Sequence, residues 1–139
     1  MQEVDLPEVL NTQLYYLSYL AEDKGINLEV KVNSSLLIMA NHFLLEGLIN
    51  NLIINAITYN KEKGSLQIAV DDKKLIVSNS GEKMPLNPTK IFQRFNQTSE
   101  KNKKGNGLGL SIVYQICKFH GWKISYDYPE DKHTFTICF

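Results

Sequence analysis

The 139-residue sequence is poor in cysteine, in long apolar runs and in net charge. Its two cysteines, Cys117 and Cys138, lack the paired spacing of a zinc knuckle or a redox motif, so we expect ordinary thiols. No run approaches the roughly 18 consecutive apolar residues of a transmembrane helix, and the N-terminus lacks the basic-then-apolar order of a signal peptide. These absences predict a soluble, cytoplasmic chain.

The charge balance excludes a second group of partners. Fifteen basic residues offset fifteen acidic ones, which gives a formal net charge of zero. Surfaces that bind nucleic acids or anionic membranes are normally basic. We therefore expect no nucleic-acid partner and no direct membrane contact by this chain. With 43% hydrophobic residues, the length fits one substantial core, and we predict a single domain over residues 1–139.

Three stretches have the apolar content and length of helices. They cover residues 6–24, 43–60 and 108–120. The first has apolar residues at spacings of three and four, and the middle one is favoured as a helix by its length. Gly25 and Gly121 follow the first and last stretches as stop signals.

Alternating apolar and polar residues predict three hairpins. The pairs are residues 26–32 with 36–39, 65–71 with 74–79, and 122–128 with 133–139. Between the last two pairs lies a polar stretch, residues 80–106, which we expect to form a mobile loop. Its compact apolar island, IFQRF, should pack this loop onto the body through Ile91, Phe92 and Phe95.

The stretch KGNGLGLSIV, residues 104–113, sets three glycines at alternate positions before an apolar run. Glycine loses more conformational freedom on folding than other residues, so this density needs a backbone reason. One reason is close approach of a ligand to the N–H groups that open the following helix. A hinge or a tight turn is the other, and the motif alone leaves both open.

A polar stripe follows the middle helix. Asn51, Asn55 and Tyr59 are four residues apart and therefore share one face, among leucines and isoleucines. An amide left unpaired in apolar surroundings costs about 1 to 3 kcal/mol. The stripe predicts either a cleft that binds a ligand or hydrogen bonds to neighbouring loops.

Taken in chain order, these features resemble the ATP-binding catalytic domain of sensor histidine kinases, within the gyrase, chaperone, histidine kinase and mismatch-repair ATPase group. LINNLIINAITYN resembles the asparagine box of this family, VSNSGEKMP the first glycine box, IFQRF the phenylalanine box and GNGLGLSIV the second glycine box. The resemblance covers residues 6–139. It implies an α+β fold, a two-layer sandwich of the Bergerat type with a mixed sheet covered on one face by about three helices.

The resemblance assigns the phosphate end of a Mg²⁺·ATP site. Asn55 matches the asparagine that coordinates Mg²⁺, and Asn51 matches one near the same phosphates. Arg94 is our choice for the γ-phosphate, because a planar guanidinium makes bidentate contacts to phosphate oxygens. Asn55 and Arg94 are thus the predicted catalytic residues. The second glycine box contributes the nucleotide-binding positions Lys104, Gly105, Gly107, Leu108 and Gly109.

The base end of the site is also implied, with departures from the family pattern. Tyr59 matches an aromatic residue against the adenine, and Gly81 a glycine beneath it. Asn79 replaces the aspartate that usually accepts the exocyclic amine of adenine. An amide has donors as well as an acceptor and can rotate, so we expect weaker preference for ATP over GTP. Further departures are Thr58, Lys83 and Met84.

The resemblance favours a kinase over an ATPase. Relatives that hydrolyse ATP carry a glutamate four residues before the metal asparagine, where this chain has Asn51, and an amide cannot act as a base. We expect transfer of the γ-phosphate to a histidine on a dimerisation domain absent from this chain, because His42, His120 and His133 lack the context of a phosphoacceptor. A response regulator would act downstream, and the full-length protein could be a membrane sensor.

Two alternatives remain at this point. One is a degenerate interaction module of the same fold that binds nucleotide poorly. The other is a serine kinase of the anti-sigma type.

Overall fold

A computed structural model describes residues 1–87, 90–93 and 108–139. In chain order the elements are β1 (Gln2–Asp5), α1 (Leu6–Asp23), β2 (Asn27–Val32), β3 (Leu37–Ala40), α2 (His42–Thr58), β4 (Ser65–Asp71), β5 (Lys74–Asn79), α3 (Gly109–His120), β6 (Lys123–Asp127), a 3₁₀ turn (Pro129–Asp131) and β7 (His133–Cys138). None of the helices in these ranges is both long enough and apolar enough to cross a membrane.

Five strands form one mixed sheet in the order β2-β4-β5-β7-β6. Strand β2 runs parallel to β4, and the other pairs are antiparallel. Alternate residues of the central strands are buried, such as Leu66, Ile68 and Val77, and the three helices pack on that face. The predicted α+β sandwich, with a mixed sheet and three helices, is confirmed.

The first predicted hairpin is wrong. Strand β2 does not pair with β3, because it lies along β4, whereas β3 pairs with β1 in a separate two-stranded sheet. A parallel pair needs a long crossover, which β3 and α2 provide here. The other two hairpins are confirmed, and the turn between β4 and β5 places Asp72 and Lys73 at φ of 47° and 59°.

Helix α2 is held at both ends by side chains. At its N-terminus, Asn41 accepts a hydrogen bond from the backbone N–H of Leu44 at 3.0 Å. No basic residue lies in its last turn. Instead the Nζ of Lys24, just after α1, donates to the carbonyls of Ile57 at 2.8 Å, Thr58 at 3.0 Å and Asn60 at 2.7 Å. A cation at this position complements the helix dipole and satisfies carbonyls that have no partner within the helix.

His120 ties the end of α3 to the start of α2. Its Nδ1 lies 2.8 Å from the carbonyl of Ile116, and its Nε2 accepts the N–H of Asn41 at 3.1 Å. The ring stacks on Trp122 with centroids 4.1 Å apart. The two helices that carry most of the predicted site are therefore fixed relative to each other at this corner.

Replacement of Lys24 by methionine should destabilise the chain by about 1 to 3 kcal/mol, because the α2 carbonyls lose charge-assisted hydrogen bonds. Urea unfolding measures this loss. The matched control is Lys31→Met, since within the described residues the side chain of Lys31 makes an exposed ion pair with Glu29. That variant should lose about 0.5 kcal/mol or less. Equal losses for both variants would contradict the capping role of Lys24.

Candidate functional site

The two asparagines of the α2 stripe are half-buried and differ in their bonding. Asn51 donates from Nδ2 to the carbonyl of Gly47 at 2.7 Å. Its Oδ1 lies 3.5 Å from the position that a Cβ on Gly109 would occupy. The side chain of Asn55 makes no hydrogen bond with any described residue. The carboxamide of Asn55 is thus available, and Asn51 lies beside the start of α3.

The start of α3 has the character of an anion site. Leu108 is the N-cap residue of the helix, and its apolar side chain makes no capping hydrogen bond. The N–H groups of the first turn have no acceptor within a helix, and here the first i to i−4 bond runs from Ile112 to Leu108 at 3.0 Å. These donors and the helix dipole favour a phosphate group.

Asn79, at the end of β5, is only 3% exposed. Its Nδ2 donates to the carbonyl of Ser80 at 2.7 Å. Its Oδ1 is buried and has no hydrogen-bond partner in the described part of the chain. Rotation of the amide would turn Oδ1 toward the Ser80 carbonyl, which can only accept. In this orientation the amide nitrogen is bonded to the Ser80 carbonyl, and the buried oxygen is the atom left without a partner among the described residues.

Gly81 lies where α2 and β5 come together. A Cβ at this position would stand 2.8 Å from the carbonyl oxygen of Tyr59, closer than real side chains come. It would also lie 3.3 Å from Cδ2 of His133 and 3.7 Å from Nδ2 of Asn79. The structure thus brings the backbone carbonyl of Tyr59 and the amide nitrogen of Asn79 close to Gly81. The close approach of the Tyr59 carbonyl is by itself a reason for glycine at position 81, whether or not a ligand binds there.

A buried polar junction, which the sequence did not reveal, holds this corner. Asn60 is 4% exposed, accepts from the hydroxyl of Ser80 at 2.7 Å and donates to the carbonyl of Ser65 at 2.9 Å. The Ser80 hydroxyl in turn accepts the N–H of Ser65 at 2.8 Å. A Cβ on Gly64 would collide with Asn60 Oδ1 and Ser80 Oγ. The end of α2 is thereby fixed to the start of β4 and the end of β5.

A second group that sequence reasoning missed lies on the β6–β7 hairpin. His133 is buried, and its Nε2 lies 2.7 Å from the carbonyl of Glu82. Its Nδ1 lies 2.8 Å from the hydroxyl of Tyr126, which accepts the N–H of Leu86 at 3.0 Å. Burial raises the pKa of the Tyr126 hydroxyl, so it remains a donor at neutral pH.

The phenylalanine box packs on the body as predicted for the residues that can be described. Ile91 is 3% exposed. The ring of Phe92 stacks on Tyr114 of α3, with centroids 5.5 Å apart, and meets the edge of Phe135 of β7. Phe95 lies outside the described residues, as do the predicted ligand contacts Arg94, Lys104, Gly105 and Gly107.

No three histidine, cysteine, aspartate or glutamate side chains are grouped as metal ligands within residues 1–87, 90–93 and 108–139. The predicted metal ligand, Asn55, offers an amide oxygen instead. Hard cations such as Mg²⁺ are commonly held by a few protein oxygens together with substrate phosphates. The described donor set fits that kind of site.

Residues 41–139 match the family described as histidine kinase-, DNA gyrase B- and HSP90-like ATPase. This span exceeds half of the chain, and the chain belongs to this family. Within it, the relatives and the fold identify an ATP-binding catalytic domain of the sensor histidine kinase type.

Particular relatives agree with this class. The sensor histidine kinase HprS of Escherichia coli strain K12 is 32% identical over 99% of this chain, which spans 31% of the length of HprS. The catalytic domain of histidine kinase ThkA is 28% identical with a TM-score of 0.81, covering 98% of this chain and 93% of its own. ThkA in complex with response regulator TrrA is 26% identical with a TM-score of 0.80, covering 98% and 40%.

Replacement of Gly81 by alanine should destabilise the chain by about 1 to 3 kcal/mol, because the new Cβ meets the Tyr59 carbonyl. The matched control is Gly47→Ala within α2, where a Cβ meets only Cδ1 of Ile116 at 4.0 Å. That variant should gain about 0.5 to 1 kcal/mol from helix propensity. Urea unfolding compares the two, and equal stability of both variants would contradict the close approach at Gly81.

Proposed function

We propose that residues 1–139 act as one domain that binds Mg²⁺·ATP and supplies the γ-phosphoryl group to a histidine. The observation that carries this proposal is the buried Oδ1 of Asn79, which has no partner among the described residues. The amide nitrogen of the same side chain lies 3.7 Å from the Cβ position of Gly81. A buried acceptor without a partner is costly unless a ligand supplies the donor.

The donor that fits is the exocyclic amine of adenine. One N–H of the Asn79 amide is bonded to the carbonyl of Ser80. We therefore assign the side-chain oxygen as the group that meets the ligand. Guanine presents a carbonyl at the equivalent position, and two acceptors repel each other. Asn79 therefore acts as the aspartate of the family does, and this chain should prefer ATP to GTP.

The proposal for the phosphate end of the site is supported by the closeness of Asn51 on α2 to Gly109 at the start of α3. The amide oxygen of Asn55 would hold Mg²⁺, while Asn51, Leu108 and Gly109 line the phosphates at the N-terminus of α3. When bound, the metal ion neutralises charge on the phosphates. Arg94 is proposed to contact the γ-phosphate, and the remaining proposed contacts are Lys104, Gly105 and Gly107.

The acceptor is proposed to be a histidine on a dimerisation domain of the same protein. Its imidazole nitrogen attacks the γ-phosphorus, the bond to the β-γ bridging oxygen breaks, and ADP leaves. Both ring nitrogens of His120 and His133 contact hydrogen-bonding groups within the fold, and His42 pairs with Glu46. Asn51 is a neutral amide and cannot activate water, which favours transfer to a histidine over hydrolysis.

The partners follow from the same class. ThkA has been solved with a response regulator, and we propose a response regulator as the downstream partner here. We place the domain in the cytoplasm, as part of a longer sensor protein. The relatives are named sensor kinases, so neither a nucleotide-poor interaction module nor a serine kinase is favoured.

Replacement of Asn55 by alanine should remove most of the Mg²⁺-dependent part of ATP binding, because the chain loses its oxygen ligand for the metal ion. Calorimetric titration with and without Mg²⁺ measures that part. Asn50→Ala is the matched control, since Asn50 is on the same helix and donates toward Gln13 of α1. Equal Mg²⁺ dependence in the Asn55 variant and the parent chain would contradict the assignment.

The parent chain should bind ATP about ten- to a hundredfold more tightly than GTP, because only adenine satisfies Asn79 Oδ1. Asn79→Leu should lose this preference, whereas Asn79→Asp should retain it because a carboxylate also accepts. Competition between ATP and GTP analogues provides the measurement. A preference that survives in the leucine variant would show that another group reads the base.

A further inference from the structure

The segment of residues 82–86, which follows Gly81, is anchored to the β6–β7 hairpin at both ends. At one end the carbonyl of Glu82 lies 2.7 Å from Nε2 of His133. At the other end the N–H of Leu86 donates to the hydroxyl of Tyr126 at 3.0 Å. The hydroxyl and Nδ1 of His133 are 2.8 Å apart, so the two anchors form one network.

The chemistry of the end groups fixes the direction of every hydrogen bond in this network. A carbonyl only accepts, so Nε2 of His133 carries a proton, and in the neutral imidazole Nδ1 is then the acceptor. The Tyr126 hydroxyl therefore donates to Nδ1 while accepting from Leu86. Both ring nitrogens of His133 are thus occupied within the protein. These two side chains act on the segment, and not on a ligand.

Most of the segment faces solvent. Residues 82–85 are exposed, and the half-buried side chain of Leu86 packs against the hydrophobic core. Within the segment, the N–H of Met84 bonds to the carbonyl of Glu82 at 2.8 Å. The anchors to His133 and Tyr126 connect the two ends of this exposed segment to the β6–β7 hairpin.

The anchor stands beside the proposed base site. His133 pairs with Asn79 across strands β5 and β7. Its Cδ2 lies 3.3 Å from the Cβ position of Gly81. The network thus connects His133, which lies opposite Asn79, to residues 82–86, which follow the proposed base site in the chain.

We propose that His133 and Tyr126 are positioning residues, which hold residues 82–86 as a preformed wall of the adenine site. This inference rests on the proposed nucleotide binding. If the wall is ordered before the ligand binds, none of the binding free energy is spent on ordering it. Loss of that order should therefore weaken binding even though every ligand contact is kept. Because the wall lies at the base end, ATP and ADP should be affected alike.

The test compares two variants that each remove one phenolic oxygen beside His133. Tyr126→Phe breaks the bonds to Leu86 and His133. Tyr128→Phe is the matched control, because the Tyr128 ring lies 4.8 Å from that of His133 and its buried hydroxyl has no partner in the described part of the chain. Calorimetry measures ATP and ADP affinity, and hydrogen exchange without nucleotide measures protection of the Leu86 amide.

Tyr126→Phe should weaken ATP and ADP binding by about fivefold to tenfold and speed exchange of the Leu86 amide, whereas Tyr128→Phe should change both by less than about twofold. His133→Gln, which keeps a donor for the Glu82 carbonyl, should retain more affinity than His133→Leu.

Three results would overturn the inference. Unchanged affinity in Tyr126→Phe despite faster exchange of the Leu86 amide would show that the wall does not serve binding. Equal loss in the glutamine and leucine variants would show that the donor of His133 is irrelevant. Absence of nucleotide binding by the parent chain would contradict the proposed function itself, and the inference with it.

Discussion

The carbonyl of Tyr59 approaches the backbone of Gly81 so closely that no larger residue fits without movement. This contact joins the C-terminal end of α2 to the end of β5, and the site depends on it. Once that corner is fixed, the direction of α2 determines where Asn51 and Asn55 lie relative to Asn79. Lys24 and the Asn60 junction hold the same corner through hydrogen bonds. The contact between Tyr59 and Gly81, with these polar supports, therefore helps to set the proposed phosphate and base ends relative to each other.

The buried polar side chains at this corner differ in whether their hydrogen bonds are completed within the protein. This difference separates residues that stabilise the fold from a residue proposed to bind a ligand. Asn60 and Ser80 are almost fully buried, and their side chains are bonded within the protein. Asn79, next to Ser80, keeps an acceptor without a partner among the described residues. Asp5 and Tyr128 also carry buried oxygens in this state. Of these three described residues, Asn79 is the one whose side chain lies beside Gly81, and for this reason we propose a ligand for its oxygen.

Much of this arrangement could be predicted from the sequence, and the failures have physical causes. Helices α1, α2 and α3 follow from apolar content and stop signals, which are local. The partner of β2 is not local, because its alternating pattern is the same beside β3 or β4, and strand β1 is too short to show alternation. The motif residues Asn55, Asn79 and Gly81 stood out through the family resemblance. Asn60, Tyr126 and His133 did not, since a polar residue in a loop or strand carries no local sign of a buried partner.

The role that we propose for Asn79 depends on backbone geometry, where the aspartate of the family depends on its ionised side chain. An ionised aspartate offers only acceptors, whereas Asn79 has an acceptor oxygen and two N–H donors, one of which is bonded to the Ser80 carbonyl. A neutral acceptor contributes less than a charged one, about 0.5 to 1.5 against 1.5 to 3 kcal/mol. The neutral side chain of Asn79 also avoids the free-energy cost of burying a charge, since this position is only 3% exposed. The chain should therefore keep the adenine choice of its family while binding the base less tightly, since selectivity depends on the direction of the hydrogen bond and affinity on its strength.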